Sequence, residues 1–243
     1  VESSPIVLTR IDFAEQLYVN DNDLQKDGSV FKEHEYALLG GMNRSNVGRH
    51  LARLAALISA GIVFLLLSAI DIAARYGLPV NLPPTVLSLV GASMVFAALY
   101  WFFDRFLWRW PLLARILKVP DISGKWVCKG RTFNRADGTF RNDWDGTITI
   151  VQSWDKLFVR LKGPQSGSHS IAAAITCDPV EGYHLLYNYV NEPKAGEADL
   201  KSHRGFAQIT FTADRQSGEG EYFNGFSRDT FGTLQLARAE NGS

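Results

Sequence analysis

The chain has 243 residues and a mass of 27.0 kDa, with 25 Lys and Arg against 25 Asp and Glu, 46% hydrophobic residues and a mean hydropathy of −0.05. A zero net charge excludes binding of DNA, RNA or anionic lipid by bulk electrostatics. Two cysteines, Cys128 and Cys177, are too few for a disulfide-stapled scaffold and match no zinc spacing.

Residues 1–50 read as a polar tail with no sustained period, apart from a short amphipathic run near Ile11 to Val19. Met42, followed by Asn43 and Arg44, has the form of an alternative translation start. Charge then disappears: residues 54–70 carry none, and neither do residues 76–103. About 20 apolar residues cross a bilayer, so a transmembrane hairpin over 51–104 is expected, with helices at 52–74 and 83–103. Pro83 and Pro84 fit the first turn of the second helix, where a missing N–H costs nothing. That helix ends in Tyr100, Trp101, Phe102 and Phe103, with Phe106, Trp108 and Trp110 beyond, an aromatic belt suited to a lipid–water boundary. Small residues at Ala56 and Ala60, and at Ser88 and Ala92, have the spacing that lets membrane helices approach closely.

Arg44, Arg49 and Arg53 precede the hairpin and Arg105, Arg109, Arg115 and Lys118 follow it, while the connecting loop holds only Arg75. The positive-inside rule then places both termini in the cytoplasm. Residues 105–121 form a basic and aromatic linker. In that reducing compartment both cysteines are expected as free, packing thiols.

From Ile122 the apolar period changes to two. Eight strands are expected, at 124–133, 144–153, 156–162, 168–178, 182–191, 203–213, 217–226 and 230–238, making residues 122–239 a small antiparallel up-and-down β-barrel. The fold class is thus a membrane α-helical hairpin plus all-β, with a β-sandwich as the alternative for the second part. Connections at 154–155, 179–181 and 214–216 are tight, whereas 134–143, 163–167, 192–202 and 227–229 are mostly longer, so one end should be a floor and the other an open mouth. Gly124-Lys125-Trp126 resembles the Gly-x-Trp start of lipocalins, in which the Trp plugs the floor beneath a terminal Arg; Arg238 stands at that position.

Alternation places Cys128, Gly130 and Thr132 inside with Trp126. It groups Tyr183, Leu185, Tyr187, Tyr189 and Asn191 on one strand face, and Gly218, Gly220, Tyr222 and Asn224 on another. Tyrosines and amides meeting near the mouth, with Trp144, suit a planar base that is stacked and hydrogen-bonded at its edge. The expected ligand-binding residues are Thr132, Trp144, Tyr187, Tyr189, Arg204, Tyr222, Asn224 and Arg228. Arg204 and Arg228 are the expected phosphate partners, chosen from a basic group that also holds Arg131, Arg135, Arg141, Lys194 and Lys201.

Catalytic signatures are missing. The sequence has no Gly-x-Ser-x-Gly, P-loop, His-Glu-x-x-His or dinucleotide fingerprint, and its five histidines are scattered without metal-ligand spacing. Glu219 and Glu221 share one strand face and read as exposed charge. Neither an enzyme, a metal site nor a cofactor is expected.

Two apolar helices, a basic and aromatic linker, and a barrel opening Pro120-Asp121-Ile122-Ser123-Gly124-Lys125-Trp126 together resemble the two-transmembrane β-barrel effectors of bacterial cyclic-oligonucleotide antiphage signalling (CBASS; SMODS-associating two-transmembrane β-strand-rich effectors). The likeness covers residues 45–238; the long polar tail departs from it. It implies a barrel that binds a cyclic dinucleotide made by a partner nucleotidyltransferase (CD-NTase), homo-oligomerisation on binding, and inner-membrane disruption that kills or arrests the cell. The alternative is a membrane-anchored, lipocalin-like receptor or carrier for a small amphipathic metabolite.

Overall fold

The computed structural model describes residues 33–77, 91–178, 180, 182–196, 201–225 and 228–239. The run near Ile11 to Val19, the Pro83-Pro84 start and Ser88 lie outside the described residues. Strand β1 (His34–Leu39) leads into helix α1 (Arg44–Arg75); helix α2 (Ala92–Arg105), a 3₁₀ turn (Leu107–Arg109) and helix α3 (Pro111–Leu117) precede the remaining strands. These are β2 (Gly124–Asn134), β3 (Phe140–Gln152), β4 (Lys156–Lys162), β5 (Ser166–Asp178), β6 (Gly182–Pro193), β7 (His203–Phe211), β8 (Ser217–Asn224) and β9 (Thr230–Arg238).

Period two explains the strands. In β2, Trp126, Cys128, Gly130 and Thr132 are buried while Lys125, Val127, Lys129 and Arg131 are exposed. The nine strands hydrogen-bond in a closed ring, in the order β1-β4-β3-β2-β9-β8-β7-β6-β5. Their inward rows form one core that includes Trp126, Ile148, Ile150, Ile175, Leu185 and Ile209. At one end Trp126 donates its indole N–H to the Ile122 carbonyl at 3.1 Å and lies beside Phe211. Arg238 covers it, its guanidinium carbon 4.8 Å from the ring centroid, a favourable cation–π arrangement. This is the floor.

The ring has nine described strands where eight are expected from the sequence, and it is not wholly antiparallel. The extra strand is β1, within the stretch read as tail. It pairs parallel with β5 from Tyr36 and Ala173 to Leu39 and Thr176, and touches β4 at His34–Leu157 and Glu35–Lys156. β4 and β5 pair directly only at Arg160–His169, Leu161–Ser168 and Lys162–Gly167, so β1 fills the gap below.

Gly40, at φ 78°, and Gly41 then reverse the chain into α1. A side chain at either would strike the Cys177 carbonyl or the Leu38 side chain. Asn43 caps α1 by accepting from the Ser45 N–H at 2.9 Å. Among the described residues α1 alone is long and apolar enough to cross a membrane by length and composition. It starts eight residues before the expected 52. Its buried face is Val47, Leu51, Ala55 and Ser59, one residue every turn, whereas Ala56 and Ala60 are exposed.

The helices meet the ring at its floor end, around the β3–β4 turn. Trp154 in that turn is wholly buried with Val47, Leu51, Phe103, Trp108, Leu117 and Val119, its ring edge-on to Phe103 at 5.3 Å. Polar bonds pin the same turn. Asp104 accepts from the Asp155 N–H at 2.9 Å, Arg44 donates to the Trp154 carbonyl at 3.0 Å, and Arg109 donates to the Gln152 carbonyl at 2.7 Å. Gln152 bridges onward, accepting from the Ile122 N–H and donating to the Pro120 carbonyl, each at 3.0 Å.

Removal of a fully buried indole costs about 3–5 kcal/mol. Trp154→Ala should therefore lower the melting temperature of the detergent-solubilised chain far more than Trp101→Ala, whose ring is 64% exposed; differential scanning fluorimetry of both variants checks this.

Candidate ligand-binding site

At the end of the ring opposite the floor lies a cavity of about 530 Å³, within the roughly 300–1,000 Å³ common for small-molecule sites. It opens beside Gly163 to Ser166, Asn191, His203, Asn224 and Arg228, the end where the longer connections lie.

Three aromatic side chains shape the wall, and each is paired across strands with a glycine. Trp144 on β3 is opposite Gly130 on β2, Tyr189 on β6 is opposite Gly205 on β7, and Tyr222 on β8 is opposite Gly232 on β9. A Cβ at Gly130 would fall inside the Trp144 indole; at Gly205 it would meet the Tyr189 phenol, and at Gly232 the Tyr222 ring. The missing side chains let the rings lie along the wall. Hydrogen bonds hold all three there. Tyr222 OH receives the Trp144 indole N–H at 3.2 Å and shares a 2.7 Å hydrogen bond with Thr132 Oγ1. Tyr189 OH donates to Asn224 Oδ1 at 2.9 Å, and Asn224 Nδ2 donates to Thr230 Oγ1 at 2.6 Å.

Among the described residues, two side-chain nitrogen donors on the cavity wall have no hydrogen-bond partner. Asn191, 7% exposed, leaves its Nδ2 group without a hydrogen-bond partner, although it lines the cavity. A buried amide hydrogen left unpaired costs about 1–3 kcal/mol, which an acceptor in the cavity would recover. Arg228 also lines the cavity and is half-buried. Burial first, and then the charge of Arg141, lowers its pKa from the usual guanidinium value, so an anion here would relieve both. His203, 7% exposed, is on the same rim. Burial chiefly, with a further contribution from Arg228, lowers its pKa below 6.5. Deeper in the wall, burial and then the charge of Asp145 push the Cys128 thiol up to about 12. It acts as packing, and neither Cys128 nor Cys177 is in a disulfide.

Of the expected residues, the cavity brings together Thr132, Trp144, Tyr187, Tyr189, Tyr222, Asn224 and Arg228. Arg204 is elsewhere. His203, Ala207 and Ile209 face inward on β7, so Arg204 stands on the exposed outer face. Within the wider basic group Arg228 alone lines the cavity; Arg131 and Arg135 are committed to Asp143 and Asp229. The three wall glycines and His203 were not among the expected residues. Counting back by twos from Phe211 would have placed His203 inside.

The family model described as "Cap15, cyclic dinucleotide receptor domain" matches residues 117–238, and "Cap15, TM helices" matches residues 45–109. The chain belongs to the Cap15 family. Its similarity to the CD-NTase-associated protein 15 of Yersinia aleksiciae is 43% identity over 210 residues, covering 86% of this chain and 99% of the relative. A protein of the same name from Staphylococcus schleiferi is 28% identical over 139 residues, covering 56% of this chain and 70% of that one. The Cap15 receptor match spans every strand from β2 to β9 and so every residue lining the cavity.

Gly205→Ala is expected to displace the Tyr189 ring and break its bond to Asn224, shrinking the cavity; a crystal structure of the variant, or the loss of protection at the Asn224 amide in hydrogen exchange, checks it. His203 supplies a pH dependence. Its folded pKa lies below its unfolded value, so as pH falls through about 6.5 the unfolded chain takes up the proton first and stability is lost. The melting temperature should fall between pH 7.5 and 5.5 by less in His203→Gln than in the wild type.

Proposed function

We propose that this Cap15 protein is a CBASS effector, a receptor rather than an enzyme, whose ring of strands acts as a barrel that binds a cyclic dinucleotide made by a CD-NTase. Binding drives homo-oligomerisation and disruption of the bacterial inner membrane, with death or growth arrest of the infected cell.

The observation that carries the reading is the pair of uncommitted donors, Asn191 Nδ2 and Arg228, in a cavity walled by three aromatic rings. A cyclic dinucleotide offers two flat bases and two anionic phosphates. Trp144, Tyr189 and Tyr222 supply faces for stacking, worth about 1–3 kcal/mol per base. Asn191 supplies a donor to a base edge or phosphate oxygen. Arg228 supplies the fork-shaped cation that suits a phosphate. A wholly apolar molecule would leave both donors unpaired, so the amphipathic metabolite of the carrier reading would have to bring acceptors of its own to Asn191 and Arg228.

In this reading both apolar helices cross the inner membrane, with termini and barrel on the cytoplasmic side, as the arginine distribution favours. The messenger is made there. The bonds of Arg44, Asp104 and Arg109 to the β3–β4 turn give the helices a fixed attachment to the barrel. The ligand acts only through a higher affinity for the assembling state than for the resting one.

The test is thermal shift and calorimetry on the full chain in detergent with cyclic di-GMP, cyclic di-AMP and cyclic GMP-AMP. One of them should bind, and Arg228→Ala and Asn191→Ala should each weaken it by about tenfold or more, the worth of a charge-assisted or otherwise unpaired buried bond. Arg204→Ala should leave affinity unchanged. If no cyclic dinucleotide binds and the purified chain instead retains a lipid, the carrier reading replaces this one.

A further inference from the structure

The outer face of the ring carries a row of five phenylalanines on five consecutive strands. Phe206 on β7 pairs with Phe223 on β8, Phe223 with Phe231 on β9, Phe231 with Phe133 on β2, and Phe133 with Phe140 on β3. The Phe206–Phe223 and Phe133–Phe231 centroids are each 5.5 Å apart. Phe223, Phe231 and Phe140 are 54%, 40% and 55% exposed. One such pair stabilises a sheet. Five in line, near the mouth and remote from the helices, form a contiguous apolar strip of the kind that marks a contact surface.

The charges beside the strip identify the occupant. One row below it, Glu221 on β8, Thr233 on β9 and Arg131 on β2 are in register; one row further, Glu219, Gln235 and Lys129. In these rows the acidic side is β8 and the basic side is β2, with Thr233 and Gln235 of β9 uncharged between them and Asp143 and Asp145 of β3 beyond Arg131 and Lys129. Glu219, Glu221 and Lys129 make no ion pair among the described residues.

We infer that this face docks a second copy of the chain about a two-fold axis running along β9. Such an axis places β8 of one copy over β2 of the other. Glu219 then faces the partner's Lys129, Glu221 lies over the partner's Arg131, which already holds Asp143 of its own copy, and Phe231 meets the partner's Phe231. A two-fold contact must be self-complementary, and here the unpaired Glu219 opposes the unpaired Lys129 twice, once on each side of the axis. An axis parallel to the strands also keeps both helical ends on one side, as a shared membrane requires. The inference rests on the proposed membrane-bound effector for that last point and gives its oligomerisation a surface.

The test uses the full chain in bacterial membranes in a Cys177→Ser background. A cysteine at Thr233, beside the axis, should cross-link to its symmetry mate under copper phenanthroline, while one at Ala172 on β5, across the ring, should not. Phe133→Ser with Phe223→Ser should reduce the dimer band about tenfold, as loss of central aromatic anchors does. Glu219→Lys with Glu221→Lys should weaken it, as should Lys129→Glu with Arg131→Glu, and co-expression of the two charge-reversed chains should restore a mixed dimer. Equal cross-linking at Thr233 and Ala172, a band indifferent to the aromatic and charge changes, or no band at Thr233 with or without the three cyclic dinucleotides, overturns the inference. Ligand affinity is measured on the same Phe variants. Cross-linking without any dinucleotide binding leaves this contact standing and removes the sensing reading; binding without cross-linking does the reverse.

Discussion

The ring depends on β1. β4 and β5 stay together for three residue pairs near the mouth and then part, and two diverging strands would expose a run of unsatisfied backbone groups. β1 supplies the missing partner, and Ser170 seals the point of divergence. Its Oγ accepts from the Val159 N–H at 2.9 Å and is 2.7 Å from His34 Nε2. Ser168, two residues away on the same inward row, lines the cavity. The strand that closes the ring is also four residues from the start of α1. One short segment thus touches the wall that bounds the cavity and the helix that is apolar enough to cross a membrane.

The site follows a different logic. Its rings are held by what their neighbours lack, a glycine opposite each aromatic, and by hydrogen bonds among Thr132, Trp144 and Tyr222 and among Tyr189, Asn224 and Thr230. Groups that are satisfied within the wall define its shape. Groups that are not, Asn191 and Arg228, define what it would attract. Sequence similarity assigns this part of the chain to the family described as "Cap15, cyclic dinucleotide receptor domain".

Strands β2 to β9 were legible because one face of each is buried, which writes a period of two into the sequence, and because glycine and aspartate mark their turns. The floor was legible too, since a tryptophan near one end and an arginine at the other have few other uses. β1 was not. His-Glu-Tyr-Ala-Leu-Leu is as good a helix start as a strand, and its partners are 121 to 137 residues away. Arg204 was misplaced for a simpler reason: its charge was weighed before its parity, and Ala207, Ile209 and Phe211 determine that parity. The wall glycines fall inside expected strands, Gly130 on the inward row, but only strand register reveals the aromatic opposite each.

The glycine-backed rings have a consequence for the thermodynamics of filling the cavity. A pocket made by collapsing mobile side chains around a guest loses their rotamer freedom on binding, at roughly 0.5–1.5 kcal/mol for each one ordered. Here Trp144, Tyr189 and Tyr222 are held by hydrogen bonds to other groups of the wall, so the wall has little entropy left to surrender. What opposes binding is the hydration of Arg228 and of the incoming molecule, and the cavity is a rigid mould rather than a closing hand.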